Sequence, residues 1–169
     1  EEDLEKAMES KDEALIGKAS YNLAQVEAAE KKYDAAVGLY RKCIDSSISC
    51  KNTDLLIMAY GALGDLFKMK GDLPKSLEEY ERSRALHERA GNFRGGAALA
   101  VNMGIVHNAM ERRAEAMDLL VPAVEYIRSV PVKSSADAKA LFRGLLEIGD
   151  VLKNEGKIAL CLCHLSLIF

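Results

Sequence analysis

Three five-residue segments recur along this chain at an interval of 40 residues, without a gap: Ser20–Ala24, Tyr60–Gly64 and Ala100–Gly104. A fourth, Leu145–Gly149, follows after 45 residues. Each places a medium apolar residue (Leu23, Leu63, Met103, Ile148) directly before a small one (Ala24, Gly64, Gly104, Gly149). Self-similarity at this interval implies stacked supersecondary units, each too small to bury its own apolar face, rather than one globular core.

The units read as helical. Asx residues stand twelve positions before each small residue, at Asp12, Asn52, Asn92 and Asp137. An Asx side chain accepts an orphan N–H of a first helical turn, so these positions mark four helix starts. At the last of them Ser134 and Asp137 could instead form a capping box and move the start by a few residues. Twelve positions after each small residue comes a second (Ala36, Ser76, Ala116, Cys161), and four further on a large apolar one (Tyr40, Tyr80, Leu120, Leu165). Turn signals such as Gly71-Asp72 and Gly156 separate the two patterns, and Pro74 falls in a first turn, where its missing N–H costs little. The pattern predicts a helix pair per unit, with small residues allowing close approach and the large residue filling the gap left by the neighbouring pair. Only three prolines and scarce β-branched runs agree with an all-α chain.

Charge narrows the functional classes. With 23 Lys+Arg against 26 Asp+Glu, the chain has no basic surplus for nucleic acid. Four cysteines without a dense disulfide spacing read as reduced thiols in the cytoplasm. Cys161-Leu-Cys163-His164 has no second ligand pair near in sequence, so no metal is expected, and Cys43 reads as a packed small hydrophobe. His87, near a helix end, reads as a cation at the negative pole of the dipole. There is no nucleophile elbow, P-loop or dinucleotide fingerprint; the reading is of no cofactor and no enzyme. The first residue is Glu1, not Met, and the chain reads as part of something longer.

The stretch Ala62-Leu-Gly-Asp-Leu-Phe-Lys-Met-Lys-Gly-Asp-Leu-Pro-Lys-Ser-Leu-Glu-Glu-Tyr80, and nearly as well Lys31-Lys-Tyr-Asp-Ala-Ala-Val-Gly-Leu-Tyr40, resembles the tetratricopeptide repeat. The resemblance extends over roughly residues 3–157. The 40-residue unit is longer than is usual in that family and is similar to those of G-protein signalling modulators, kinesin light chain and axonemal proteins. It departs from the pattern where Ser20, Tyr60 and Ala100 replace Trp, where Glu27 and His107 replace Tyr, and where the repeat-ending Pro is missing. The resemblance implies a right-handed α-solenoid of antiparallel helix pairs. Residues 1–10 would be the second helix of a preceding repeat. Repeats would occupy 11–50, 51–90, 91–130 and 131–169, the last entered through the insertion at Pro131.

In this family the first helices line a concave groove for an extended or helical peptide. Carried over by position, the groove would show Lys18, Tyr21, Asn22 and Gln25, then Met58, Gly61, Ala62 and Asp65, then Ala98, Val101, Asn102 and Ile105, and last Arg143, Glu147 and Asp150. The positions that clamp chaperone C-termini are Tyr21, Gln25, Ala62, Ala98 and Asn102 here. None is a cation, so a buried carboxylate could not be compensated and that partner class is excluded. Asn22 and Asn102 can both donate to and accept from a peptide backbone, and Arg143 can pair an acidic residue. The expected function is a non-catalytic scaffold binding a protein or peptide partner. The alternatives are a fixed structural subunit of a cytoskeletal or ciliary assembly, and the regulatory repeat domain of a longer enzyme. The end, Ile158–Phe169, carries no charged residue apart from His164 and is too short for a membrane span. It would pack under a further repeat or a partner chain, self-associate, or be an atypical terminus such as a splice variant's.

Overall fold

The computed structural model describes residues 2–131 and 134–154. They form eight α-helices: α1 (Glu2–Ser10), α2 (Glu13–Ala29), α3 (Tyr33–Ser49), α4 (Thr53–Met69), α5 (Leu73–Arg89), α6 (Phe93–Ala109), α7 (Arg113–Ser129) and α8 (Ser135–Asn154). Cys161, Cys163, His164, Leu165 and the apolar stretch 158–169 lie outside the described residues. The chain divides into two compact units, Glu1–Leu86 and His87–Phe169.

Local chemistry sets the helix boundaries. Asp12 accepts from the N–H groups of Ala14 and Leu15 at 2.9 and 3.2 Å, Asn52 from Leu55 at 3.0 Å, and Asn92 from Gly95 at 2.9 Å. These are the expected Asx caps of α2, α4 and α6. Asp137 is not a cap of this kind. The Ser134 hydroxyl accepts from the Asp137 N–H at 3.2 Å, and the Asp137 carboxylate accepts from the Ser134 N–H at 3.1 Å. That capping box starts α8 at Ser135 and keeps two orphan donors satisfied.

The turns are equally regular. Residues 11, 31, 51, 71, 91 and 111 all have positive φ, and only two are glycine (Gly71 at 80° and Gly91 at 64°). Each reverses the chain between two helices. In five of the six turns the next residue donates back five positions, as from Lys32 N–H to Glu27 C=O at 2.9 Å and from Asn92 N–H to His87 C=O at 2.9 Å. Such a bond closes a Schellman motif, and the donating residue is also the start of the next helix. At Lys11, Lys31, Lys51 and Glu111 the left-handed backbone carries a Cβ, at a cost of about 1 kcal/mol or more relative to glycine. Lys31→Gly and Lys51→Gly are therefore expected to stabilise the first unit by roughly 0.5–1 kcal/mol each. The urea midpoint followed by circular dichroism would rise; a fall would contradict the turn argument.

In the first unit the core gathers Ala24, Ala36, Tyr40, Cys43, Leu55, Ala59, Leu63, Leu66 and Phe67 from α2, α3 and α4. Cys43 is wholly buried, as a packed small hydrophobe would be. In the second unit the core gathers Val101, Ala116, Leu120, Val124, Ile127, Leu145, Ile148 and Val151 from α6, α7 and α8. The small-residue positions bring helices together, but the large residue does not serve the neighbouring pair first. A Cβ built on Gly64 would lie 2.5 Å from the Tyr80 ring, and one on Gly104 would lie 2.5 Å from Leu120 Cγ. The large side chains of α5 and α7 thus seat on the small residues of their own pairs. The Ser76 hydroxyl adds a 2.8 Å hydrogen bond to the Gly64 carbonyl across the same seam.

The pair Gly95-Gly96 has a packing role. A side chain on Gly95 would collide with the His87 ring. His87 Nδ1 is buried with no hydrogen-bond partner, and burial pushes the imidazole below its ordinary pKa. The neutral form is favoured, which corrects the expectation of a cation at the dipole's end. Because the folded pKa is the lower one, the unfolded chain binds this proton first as pH falls. The His87 contribution is complete above about pH 6.5, the unfolded pKa, and is lost as pH drops through the folded value. Melting of the second unit at pH 5 and pH 7.5 should show a smaller difference in His87→Gln than in the parent chain.

Candidate binding faces

The sequence-derived groove residues fall on both units, and the two groups stand in different environments. In the first unit α2 presents Lys18, Asn22 and Gln25 to solvent, with Tyr21 half-buried beside them. The Gln25 amide donates weakly to the Tyr21 hydroxyl at 3.4 Å. The Tyr21 ring meets Tyr40 edge-on, with centroids 5.7 Å apart and planes at 64°. Burial, then the neighbouring Tyr21 and Asp65, pushes the Tyr40 hydroxyl up to about 12. Burial raises Tyr21 as well, with Cys43 and Asp65 adding to it. Both phenols therefore stay neutral and act only as hydrogen-bonding groups at physiological pH.

Met58 on α4 is exposed. Asp65 is not a spare carboxylate. It accepts from the Tyr80 hydroxyl at 2.6 Å and from the Lys68 ammonium at 2.7 Å, while Lys68 also donates to that hydroxyl at 3.1 Å. The ammonium lies 5.7 Å from the ring centroid, beyond the hydroxyl and near the ring plane. It is a hydrogen-bond donor there rather than a cation over a π face. Asp65 fastens α4 to α5 and offers little to a ligand.

The second unit holds Asn102, Ile105 and Arg143. Asn102 is half-buried, Ile105 packs against the core, and Arg143 is exposed on α8. Val101, placed in the groove by position, is instead a core residue touching Gly144. The Asn108 amide on α6 donates to Glu147 at 2.7 Å and to Asp150 at 3.3 Å on α8. Burial raises the Glu147 carboxyl above its usual range, against the lowering effect of Asn108 and Arg143.

A feature that position alone did not pick out is a groove of about 500 Å³ between α1 and α2. Leu4, Ala7, Leu15, Ala19, Leu23 and Val26 supply apolar surface, and Lys18 and Asn22 stand among them. Among the described residues no three His, Cys, Asp or Glu are grouped to hold a metal, and no helix is long and apolar enough to cross a membrane.

The tetratricopeptide repeat family profile matches residues 15–89, covering α2 to α5. That stretch, residues 15–89, carries tetratricopeptide repeats. No curated protein matches the sequence. Solved structures do. BtubC (BKLC) from P. vanneervenii is similar at a TM-score of 0.82 and 16% identity, over 92% of this chain and 62% of that one. This repeat chain thus spans less than two thirds of that structure. A Podosopora anserina protein described as a kinesin light chain of nearly identical TPR-like repeats is similar at a TM-score of 0.70 and 13% identity, over 90% of this chain and 72% of its own. MamA is similar at a TM-score of 0.50 and 12% identity, over 89% of this chain and 88% of its own. At such identities the likeness is one of fold, an α-solenoid of helix pairs.

Proposed function

We propose that this chain is a non-catalytic scaffold that binds a peptide or helix of a partner protein on the first helices of its repeats. The division into a lead helix, 1–10, and repeats at 11–50, 51–90, 91–130 and 131–169 belongs to this reading, and the starts of α2, α4 and α6 at intervals of 40 residues support it. The observation that carries the functional part is the composition of the first-helix surface in the first unit. There Leu15, Val26 and Met58 are large, apolar and exposed beside Lys18, Asn22 and Gln25. Exposed apolar side chains interleaved with neutral hydrogen-bonding groups suit capture of a helix or strand. Asn22 and Asn102 then hold backbone amides, and Arg143 meets an acidic side chain. The cytoplasm fits the free thiols Cys43 and Cys50.

Affinity capture with the immobilised chain tests this. Asn22→Ala combined with Asn102→Ala should sharply reduce recovery of a partner that the parent chain retains. Undiminished recovery would count against the first-helix surface.

A further inference from the structure

A second groove, of about 440 Å³, lies between α3 and α5, the two second helices of the first unit, with α4 as its floor. Tyr60, Leu63 and Phe67 line that floor at i, i+3 and i+7. Helical periodicity puts them on the side of α4 opposite Met58, Gly61, Ala62 and Asp65, so this is a different face from the first-helix surface. The repeat interval places any further first helix over α1 and α2, in the register in which Gly17 of α2 meets Leu55 of α4 and Ser46 of α3. The opening of the α3–α5 groove therefore owes nothing to where the sequence starts.

Charge along its walls does not balance. From α5 come Lys75, Glu78, Glu79 and Arg82, and from α3 come Arg41 and Asp45. Lys75 is taken by Asp72 at 2.6 Å and lies 5.7 Å from the centre of the Phe67 ring. That leaves the carboxylates of Asp45, Glu78 and Glu79 against the guanidiniums of Arg41 and Arg82, a surplus of one negative charge. One guanidinium serves two of the carboxylates: Arg82 donates to Glu78 at 2.5 Å and to Glu79 at 3.1 Å. Glu79 is only 7% exposed, and burial holds its carboxyl above the usual range against the lowering effect of Arg82 and Arg41. Neither Arg41 nor the Asp45 carboxylate makes a hydrogen bond or a close ion pair among the described residues. A buried carboxylate that shares its one donor is short of a cation.

We propose that the α3–α5 groove is a docking site for an arginine of a partner protein, its guanidinium taken by Glu79 with Asp45 nearby on the α3 wall. Ile48, 56% exposed, and the half-buried ring of Tyr60 give its methylene stem an apolar surface. Arginine suits the site better than lysine, because a guanidinium is the more weakly hydrated cation and its fork matches a carboxylate. The site is independent of the first-helix surface, so the chain would hold protein on two faces.

The probe is an acetylated peptide amide, Ala-Leu-Arg-Leu-Ala, titrated into the isotope-labelled full chain, with the amide signals of Ile48 and Glu79 followed by NMR. Saturable shifts at both are expected. Replacing the peptide's arginine by citrulline, which keeps the shape and removes the charge, should weaken binding about tenfold, as should Glu79→Gln in the chain. Asp45→Asn, at an exposed position, should weaken it about two- to fivefold. Absence of saturable shifts, equal binding of the citrulline peptide, or unchanged binding by Glu79→Gln would overturn the proposal. Asn22→Ala with Asn102→Ala should bind the probe as the parent does; a loss there would place the probe on the first-helix surface and overturn the assignment to this groove. Sedimentation covers another occupant: a dimer of the parent that Glu79→Gln with Asp45→Asn abolishes would give the groove to a second copy of the chain and overturn the partner assignment.

Discussion

Tyr80→Ala is expected to destabilise the first unit by about 3–5 kcal/mol, the range for truncating a fully buried aromatic side chain. Tyr80 has no solvent exposure, its ring lies on the backbone of Gly64, and its hydroxyl is bonded to Asp65 and Lys68. Removing it leaves a cavity at a seam that cannot collapse, because Gly64 has no side chain to move in. Two milder substitutions separate the contributions. Tyr80→Phe keeps the ring and removes only the hydroxyl, so roughly 1–2 kcal/mol should be lost as Asp65 retains Lys68 alone. Gly64→Ala places a methyl against the ring; the overpacking cost of about 1–3 kcal/mol exceeds the helix-propensity gain of about 1 kcal/mol. Urea titration followed by circular dichroism reads all three. A loss on Tyr80→Ala no larger than on Tyr80→Phe would show that the ring does not anchor the seam.

The repeat interval and the Asx caps were legible from the sequence because both arise from local rules. A helix start needs an acceptor for its first N–H groups, and Asp12, Asn52 and Asn92 supply it wherever the chain is cut. The turns were only half legible. Gly71 announces a left-handed residue, whereas Lys11, Lys31, Lys51 and Glu111 adopt the same backbone under pressure from the flanking helices. What Tyr80 and Leu120 pack against is set by which helix lies nearest, information that spacing within one chain segment does not contain. The same holds for candidate binding residues. Asp65 and Val101 occupy first-helix positions that face a ligand elsewhere in the family, yet one is bound to Tyr80 and Lys68 and the other is in the core. Pro122 lies in mid-helix in α7, where a proline removes one backbone donor, yet the helix runs on from Arg113 to Ser129. The α1–α2 groove could have been found from sequence, because the 40-residue shift that aligns the repeats also aligns Leu15 with Leu55 and Val26 with Leu66.

Arg94→Ala is expected to cost the second unit about 2–4 kcal/mol, the upper part of what a partly buried ion pair yields when one partner is removed. The Arg94 guanidinium donates to the Asp137 carboxylate at 2.6 Å and to the Pro131 carbonyl at 3.1 Å. It thereby ties the start of α6 to the extra residues that lengthen the last interval from 40 to 45. Asp137 is buried and also holds the capping box of α8, so losing Arg94 removes a charged partner from a carboxylate that cannot move to water without unwinding a helix start. Asp137→Asn keeps the cap geometry but removes the charge and should cost less, about 1–2 kcal/mol. Arg94→Met with Asp137→Asn should recover part of the Arg94→Ala loss, because the buried carboxylate charge is then removed together with its guanidinium. A double-mutant cycle on urea midpoints measures the coupling; a coupling energy near zero would mean that the insertion is held by its own turn chemistry and not by Arg94.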